Sequence, residues 1–455
     1  MFQILKILKQ FNITNIVDNS KQVNVETAFF CNEVAQQKHY DDDAIVRGCK
    51  FIIYIGKNNI QEGSIYKITI AWNEYIDLLK QFYPNDDIVK IAITGTNGKT
   101  STAHFGASLA SYIVGNSATI GTNGLCVYKE GNIVETIEIG LTTPTSTAFY
   151  YHLSNLQKQN IKYVFVEASS IGIEQGRVDG IKFDVSCFTN LTQDHLDHHH
   201  TMEEYFYQKS RLFTEFTKKE GNVILNINSP YSGKIQTNCQ KTYYGMEEFI
   251  VEGNGFSVTI GNQHISFPLQ GTFQVMNLFC AVHSLLALGF VERQIAQYIP
   301  NISAPSGRMQ FYKMNQINIV IDFAHTPDAL DNLLQNIDGE KIVIFGCGGN
   351  RDKTKRSKMG KIASQCAKHV IITNDNPRHE DQLVIAEAIA KGCNCNHHIT
   401  LDRHKAIVQG IEMCLPSGTV VIAGKGNEMY QIIGDTKYEY SDVAVVENII
   451  KVSSQ

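Results

Sequence analysis

The sequence predicts an α/β protein with three domains. Its 455 residues are enough for about three domains of ordinary size. Apolar, β-branched runs alternate with helical patterns along most of the chain, which is typical of parallel sheets covered by helices. Two stretches rich in turn formers interrupt this alternation: we predict a linker at Gln81–Asp87 and an inter-domain hinge at Pro300–Arg308. We therefore expect a small N-terminal α/β domain (residues 1–87), a central parallel-sheet domain (88–303) and a C-terminal Rossmann-like domain (304–455).

The composition is that of an ordinary soluble globular protein. Charged residues make up 19% of the chain and the net charge is −5, too mild to predict attraction to nucleic acid or to a membrane. No apolar run reaches the ~18 residues that a transmembrane helix needs. Eleven cysteines without CxxC pairs favour reduced thiols in a cytoplasmic protein over a disulfide framework. No large exposed apolar element is visible, so we expect a monomer.

The first 87 residues contain patterns of helices and strands but no motif that indicates a catalytic or binding site. The opening run MFQILKILKQF spaces its apolar residues like one face of a helix. No small-residue cleavage site follows it, so we predict a structural helix rather than a signal peptide. β-rich runs follow at Asn24–Phe30 and Cys49–Ile55.

In the central domain, apolar runs are followed by polar residues. Strands are predicted at Lys90–Thr94, Tyr163–Val166, Val185–Phe188 and Val223–Asn226, with a β-rich stretch at Phe249–Phe267 and a helix at Met276–Leu288. Ligands of parallel sheets bind beyond the carboxyl ends of the strands, so the polar residues at those ends are the candidates for a site.

The strongest motif is a glycine-rich loop between the first central strand and a helical pattern. The loop comprises Gly95, Thr96, Asn97, Gly98, Lys99, Thr100 and Ser101. Backbone N–H groups in such a loop can surround a polyphosphate, Lys99 can reach its outer phosphates, and the Thr100 hydroxyl can coordinate Mg²⁺. This predicts a P-loop ATPase-like domain that binds ATP. Only two residues separate the glycines, where a standard P-loop has four, so a plain turn with a surface lysine is the alternative.

Two further stretches of the central domain carry candidate groups. Glu167 directly follows a strand at the same sheet edge and could hold Mg²⁺ beside the phosphates; a surface glutamate is the alternative. The stretch Thr189–Thr201 contains four histidines and two aspartates. It is compatible with a zinc site, with solvated histidines, or with a single functional histidine. Lys209, taken by itself, is typical of a solvated helix lysine.

Beyond Pro300–Arg308 the alternation starts again. Strands are predicted at Ile317–Asp322, Lys341–Phe345, His369–Thr373 and Thr419–Ala423, with a helix at Val384–Gly392. Each strand is followed by a polar loop, and one of these loops contains Arg378, which could bind a carboxylate bidentately. Together these loops suit a small zwitterionic ligand, although each alone could be a solvated turn.

Eight stretches between residues 94 and 431 match the motifs of one known family. They are TGTNGKTS (Thr94–Ser101), LTTPTS (Leu141–Ser146), Val166–His199 with the following YFYQKSRLF, SGRMQ (Ser306–Gln310), DFAHTPDAL (Asp322–Leu330), GCGGNRDKTKR (Gly346–Arg356), DNPRHED (Asp375–Asp381) and GKGNEMYQ (Gly424–Gln431). In combination they resemble the Mur ligases, and within them the UDP-N-acetylmuramoyl-tripeptide synthetases of peptidoglycan assembly. The shortened P-loop is the form that this family uses.

The resemblance implies ATP-dependent amide formation. A carboxylate of a UDP-N-acetylmuramoyl dipeptide would take the γ-phosphoryl group of ATP, and an incoming amine would attack the acyl phosphate. Lys99 would act in catalysis, with Thr100, Glu167 and His195 as magnesium ligands and Lys209 as a carbamoylated lysine near a second metal. The remaining matches are Asn277, Arg308 and His325 around the nucleotide, and Thr142, Thr143, Ser169, Gln175 and Arg177 at the muramoyl dipeptide.

By the same resemblance, the C-terminal domain binds the third amino acid. The run Asp375, Asn376, Pro377 and Arg378 has the form that accompanies meso-diaminopimelate, whose distal carboxylate requires an arginine. Arg351, Gly424 and Glu428 match the other contacts, and Glu428 suits an ammonium group. The alternatives are a ligase for L-lysine or another amino acid, including a folylpolyglutamate-type ligase, and a non-catalytic nucleotide-binding relative.

The chain departs from the pattern of the family at several positions. Ile171 and Asn427 stand where the family usually has histidine. Ser20, which corresponds to a serine that binds the UDP part of the substrate, lies in a loosely matching segment. The aspartate-glycine segment expected near His39–Asp43 is missing.

Overall fold

The computed structural model describes residues 2–57, 59–61, 63–245, 249–252, 255–260 and 263–453. The protein is a mixed α/β structure with three main sheets that follow one another along the chain. Among the residues described, no helix is both long enough and apolar enough to span a membrane. All eleven cysteines are free thiols.

The N-terminal part is a five-stranded sheet with flanking helices. Its elements are α1 (Phe2–Gln10), β1 (Asn15–Val17), β2 (Thr27–Cys31), α2 (Glu33–Gln37), α3 (Tyr40–Val46), β3 (Phe51–Ile55), β4 (Asn59–Gln61), β5 (Tyr66–Ile70) and α4 (Trp72–Phe82). The strands lie in the order β1-β2-β3-β5-β4, and β4 pairs antiparallel with β5. The predicted first helix is confirmed, with Ile4 and Leu8 buried. Helix α4 extends through Phe82, so the predicted linker Gln81–Asp87 begins inside a helix.

The central part is built on an eight-stranded sheet. Its elements are β6 (Val89–Thr94), α5 (Lys99–Val114), β7 (Asn116–Gly121), β8 (Gly124–Lys129), β9 (Asn132–Ile137), α6 (Ser146–Lys158), β10 (Tyr163–Glu167), α7 (Ser170–Glu174), β11 (Phe183–Phe188), α8 (Leu196–His199), α9 (Met202–Arg211), β12 (Thr217–Asn226), β13 (Gln240–Tyr244), β14 (Phe249–Glu252), β15 (Gly255–Ile260), β16 (Gln263–Phe267), α10 (Thr272–Ala287) and α11 (Glu292–Tyr298). The strand order is β13-β12-β11-β6-β10-β7-β8-β9, and β14–β16 form a separate antiparallel sheet.

The sheet is parallel from β13 to β7, as predicted, but β8 and β9 extend it as an antiparallel edge. The sequence did not reveal this edge, because β9 is exposed along its whole length and therefore lacks an apolar run. In the centre, successive residues of β6 face opposite sides: Ile91 and Ile93 join one apolar core and Ala92 joins the other. Helices therefore cover both faces, which leaves the strand ends as the open surface.

The C-terminal part is a six-stranded sheet with a small hairpin. Its elements are β17 (Gln310–Met314), β18 (Gln316–Asp322), α12 (Pro327–Gln335), β19 (Lys341–Phe345), α13 (Lys355–Cys366), β20 (His369–Ile372), α14 (Gln382–Ala390), β21 (Asn396–Ile399), α15 (Arg403–Met413), β22 (Ser417–Ala423), β23 (Tyr430–Ile433), β24 (Thr436–Glu439) and α16 (Asp442–Ser453). The order is β17-β18-β22-β19-β20-β21, with β17 antiparallel to β18 and the other pairs parallel. The predicted strands and helix are confirmed to within a few residues.

The N-terminal part packs directly on the central part. Tyr75 of α4 is fully buried, and its hydroxyl lies 2.6 Å from the Thr147 hydroxyl at the start of α6. The Trp72 indole N–H donates to Asp179 Oδ2 at 2.8 Å. One apolar cluster runs through both parts, so the interface is a shared core.

Candidate active site

A cavity of about 480 Å³ lies where loops of the central and C-terminal sheets face each other. Its walls are the loops that follow β6, β7, β9, β10, β11, β18, β19, β20 and β22, together with Arg308, which precedes β17. The lining carries charges of both signs: Lys99, Arg177, Arg308, Arg351, Lys355 and Arg378 against Glu167, Asp194, Asp197, Asp352, Asp375 and Glu428. The polar strand ends predicted from sequence therefore converge on one place.

The glycine loop joins β6 to α5 at one side of this cavity. Gly98 caps α5 with a φ of +86°, and a side-chain carbon there would lie 2.3 Å from Asn277 Oδ1. A carbon on Gly95 would lie 1.9 Å from Thr189 Oγ1. Only glycine fits either position, so the loop can approach a ligand with its backbone. Lys99 Nζ donates to the carbonyls of Gly95 and Thr96, both at 2.8 Å.

Glu167 ends β10 next to this loop and is buried, so the surface-glutamate alternative is wrong. Thr100 Oγ1 donates to Glu167 Oε2 at 3.0 Å. The other oxygen accepts the Thr122 backbone N–H at 2.8 Å, and the Thr122 hydroxyl donates to Oε2 at 3.1 Å. A hydroxyl and a carboxylate thus lie together, which is an oxygen-rich arrangement that suits Mg²⁺. Sequence reasoning missed Thr122, which carries no motif signal.

His195 lies 3.5 Å from the buried carboxylate of Asp194. Burial lowers the pKa of His195 to about 4, so the imidazole is neutral and able to coordinate a metal. Asp194 also faces His325 Nε2 and Lys355 Nζ of the C-terminal part, each at 3.7 Å. Cationic and hydrogen-bonding neighbours hold the pKa of Asp194 well below its usual range despite burial. This carboxylate therefore links the two parts across the cavity.

Lys209 is not a solvated helix lysine, because only 1% of the residue is exposed. Its Nζ donates to the Gly95 carbonyl at 2.9 Å and lies 4.6 Å from the centre of the Tyr205 ring. Burial, together with the charge of Lys99, lowers the pKa of Lys209 well below its usual value. The amine lies behind the glycine loop and is not part of the cavity lining.

The predicted muramoyl-dipeptide contacts lie at the opposite wall. Thr143 Oγ1 donates to the Glu167 carbonyl at 2.8 Å and accepts the Ser169 backbone N–H at 2.9 Å. Arg177 Nη1 donates to the Thr143 carbonyl at 2.8 Å, and the exposed Gln175 amide oxygen accepts from Arg177 Nε and Nη2 at 3.0 and 2.6 Å. Thr143 is therefore a buried support, and Arg177 lines the cavity.

A second, smaller cavity of about 100 Å³ opens behind the loop. It is lined by Ser101, Asn277 and Arg308 of the prediction, and also by Phe273 and Phe323. Arg308 Nη2 donates to Thr100 Oγ1 at 3.1 Å, and its guanidinium lies 4.3 Å from the centre of the Phe323 ring. The segment predicted as a hinge therefore supplies a cation to the site.

The C-terminal wall is organised by a buried lysine that sequence reasoning did not select. Lys425 Nζ donates to Glu428 Oε2 at 2.7 Å and to Asn376 Oδ1 at 3.1 Å, and Asn376 Nδ2 donates to the same Glu428 oxygen at 2.9 Å. Arg378 has a φ of +53° and donates through Nη1 to the Gly349 and Asn376 carbonyls, at 3.0 and 3.3 Å. Its guanidinium is thereby fixed at the cavity.

Comparisons with known proteins agree with this arrangement. Residues 93–285 match the Mur ligase middle domain, and residues 307–426 match the Mur ligase, glutamate ligase domain. A UDP-N-acetylmuramoyl-L-alanyl-D-glutamate--2,6-diaminopimelate ligase of Rickettsia bellii is 36% identical over 97% of this chain and 96% of its own length. The enzyme of that name from Leptospira interrogans is 37% identical over 80% of this chain and 77% of its own length.

The chain belongs to the Mur ligase family. A solved structure titled as a UDP-N-acetylmuramoyl-L-alanyl-D-glutamate--2,6-diaminopimelate ligase is similar with a TM-score of 0.62 at 26% identity, covering 97% of this chain and 96% of that one. The three-part α/β architecture is thus that of the Mur ligases.

Most of the predicted site residues of this Mur ligase meet in the main cavity. They are Thr96, Asn97, Gly98, Lys99, Thr100, Thr142, Glu167, Ser169, Arg177, His195, Arg308, His325, Arg351, Asp375, Asn376, Arg378, Gly424 and Glu428. Ser101 and Asn277 lie at the smaller cavity. Pro377, which directly precedes Arg378 in the chain, is buried. Ser20 does not line the main cavity: it is buried in a short 3₁₀ turn of the N-terminal part.

Proposed function

We propose that the chain is an ATP-dependent ligase that joins meso-diaminopimelate to UDP-N-acetylmuramoyl-L-alanyl-D-glutamate. The observation that carries this proposal is the single cavity that contains the phosphate loop, the Thr100–Glu167 pair and the Arg378 loop. A cavity with these three parts can hold ATP, an acceptor carboxylate and a charged amino acid in contact. The names of the relatives at 36% and 37% identity support the same substrates.

The glycine loop and Arg308 would bind the phosphates of ATP. The N-terminus of α5 directs backbone N–H groups at this position, and Lys99 adds a cation. Arg308 Nε is buried without a hydrogen-bond partner among the described residues, although its Nη2 is bonded to Thr100. An anionic ligand would satisfy that donor, which fits a nucleotide phosphate.

Thr100 and Glu167 fit a Mg²⁺ site, since their oxygens lie 3.0 Å apart. His195, neutral by its lowered pKa, would complete the donor set. Bound Mg²⁺ would neutralise charge that develops on the transferred phosphoryl group. Thr122 would orient the carboxylate, because it donates two hydrogen bonds to Glu167.

The reaction would proceed in two successive substitution steps, one at phosphorus and one at carbon. An oxygen of the D-glutamyl carboxylate attacks the γ-phosphorus of ATP, and the bond from that phosphorus to the bridging oxygen of ADP breaks. The amine nitrogen of diaminopimelate then attacks the acyl carbon, the carbon–oxygen bond to phosphate breaks, and the nitrogen loses a proton. Arg177, held by the Thr143 carbonyl, would position the acceptor carboxylate, since it is a cation at that wall.

Arg378 and Glu428 would select the amino acid. The Arg378 guanidinium suits the distal carboxylate of diaminopimelate, which L-lysine lacks. Glu428 would accept an ammonium group, although Lys425 already neutralises part of its charge. Burial lowers the pKa of the Lys209 amine, which favours the neutral form that reacts with CO₂, and the resulting carbamate, formed with loss of a proton, would supply an anionic oxygen ligand.

Oxygen-isotope transfer tests the proposed chemistry. The dipeptide substrate would carry ¹⁸O in its D-glutamyl carboxylates, and the released phosphate would be analysed by mass spectrometry after turnover with ATP and diaminopimelate. The acyl-phosphate route predicts one ¹⁸O atom in each phosphate. Phosphate free of ¹⁸O during product formation would contradict it.

A further inference from the structure

One group of side chains outside the proposed chemistry has the arrangement of a transition-metal site. It consists of Glu174, at the end of α7, and His198 and His199, in α8. One donor atom from each lies within 4.8 Å of the other two. The group joins two short helices that flank the main cavity. We call it the Glu-His-His cluster.

The His199 ring provides an independent sign that the cluster is built for a ligand. Its side chain is fully buried, and its Nε2 lies 2.9 Å from the Ser170 hydroxyl. Its Nδ1 is buried and has no hydrogen-bond partner among the residues described. That atom faces Glu174 Oε2 at 3.8 Å. An unpaired ring nitrogen is costly to bury, and a bound cation would satisfy it.

The hydrogen bond to Ser170 also allows the ring form that a metal requires. When Nε2–H donates to the Ser170 oxygen, Nδ1 carries a lone pair directed at Glu174. Ligating histidines commonly donate their other N–H to such an outer partner. Tyr205 stacks on the same ring, with centroids 5.2 Å apart, and holds its plane.

We propose that Glu174, His198 and His199 bind one divalent transition-metal ion, of which Zn²⁺ is the best match. Two imidazoles and one carboxylate form a donor set that suits Zn²⁺, with an open position for water. Glu174 Oε2 and His198 Nε2 now lie 2.5 Å apart, whereas ligands on one tetrahedral ion are separated by about 3.3 Å. Both side chains are about one-third exposed, so they can separate and an ion can enter.

An ion in the Glu-His-His cluster would tie α7 to α8. Ser169 caps α7, and His195 immediately precedes α8, so both helices lead directly to residues at the cavity. The ion would stabilise the relative position of these two helices. This role is separate from the proposed magnesium site, which uses other residues.

Zinc titration of the full-length, chelator-stripped protein tests the proposal. Excess Mg²⁺ would be present throughout, and Zn²⁺ affinity would be measured by competition with a chromogenic chelator. The wild type should bind one Zn²⁺ tightly. Glu174→Gln and His198→Gln should each weaken this binding by about 100-fold or more. His200→Asn is the matched control, because His200 is exposed, adjacent and outside the cluster, and asparagine tolerates its φ of +61°.

A second measurement uses Co²⁺, whose visible absorption reports coordination by histidine. The wild type and His200→Asn should show the same bands, and His198→Gln should lose them. Both cluster variants replace partly exposed side chains, and their folding would be checked by circular dichroism. Equal Zn²⁺ affinity in the wild type and His198→Gln, or equal loss in His200→Asn, would overturn the proposal.

Discussion

Replacing Arg378 with alanine should raise the KM for meso-diaminopimelate strongly and leave ATP binding intact. Nη1 of Arg378 is bonded to the Gly349 and Asn376 carbonyls, which fixes the guanidinium. Its Nε and Nη2 make no hydrogen bond among the described residues, so they are available to a carboxylate. Loss of one partner of a partly buried charged pair costs about 2–4 kcal/mol. This corresponds to a fall of about 30- to 1000-fold in kcat/KM for diaminopimelate.

The assay is steady-state phosphate release with diaminopimelate varied at saturating ATP and dipeptide. Arg378→Lys keeps the charge without the planar fork and should fall between the wild type and Arg378→Ala. Arg293→Ala, on the exposed face of α11, is the matched control and should behave as the wild type. Arginine already adopts the φ of +53°, so alanine adds no new backbone strain there, and the Tm of each variant would be measured to confirm folding. Equal kcat/KM in Arg378→Ala and the wild type would refute the role of this residue.

Three further predictions concern the central part. Thr122→Val removes the hydroxyl that donates to Glu167 but keeps the shape of the side chain. It should raise the Mg²⁺ concentration needed for half-maximal activity about 10-fold. An unchanged Mg²⁺ requirement would count against the role of Thr122. Lys209→Met should abolish turnover and the carbamate signal that ¹³C-bicarbonate gives by NMR in the wild type; the same signal in both proteins would contradict carbamoylation of Lys209. Burial lowers the pKa of His104 to about 4, below the 6.5 of an unfolded histidine, so the stability it contributes is complete above pH 6.5 and is lost as the pH falls. The free energy of unfolding should therefore drop by about 2 kcal/mol more in the wild type than in His104→Gln between pH 7 and pH 5, measured with urea, and equal slopes would be inconsistent with a neutral His104.

The sequence predicted the fold where strands are buried on both faces. β6, β10 and β19 are short apolar runs that end in polar loops, so pattern alone located them. It failed for the antiparallel edge: β9 is exposed along its whole length and carries no continuous apolar run, and β8 is a short buried run whose antiparallel pairing the local sequence does not indicate. The direction of the parallel strands also predicted which loops would meet at the site.

The burial of charged groups could not be predicted from local sequence. Lys209 is preceded and followed by polar residues on an amphipathic helix, and only its contact with the Gly95 carbonyl reveals its environment. Lys425 neutralises Glu428 across a loop, which depends on how that loop folds. Thr122 contacts Glu167 across 45 residues of chain, and no spacing rule links the two.

The proposed ligase function is tested most directly by phosphate release from the purified protein with UDP-N-acetylmuramoyl-L-alanyl-D-glutamate, ATP and Mg²⁺. Meso-diaminopimelate and L-lysine would be supplied in separate reactions, and the nucleotide product would be identified by mass. We expect phosphate release and a UDP-N-acetylmuramoyl-tripeptide with diaminopimelate, at a much higher kcat/KM than with lysine. Release with neither amino acid would contradict the ligase function, and a preference for lysine would contradict the role given to Arg378.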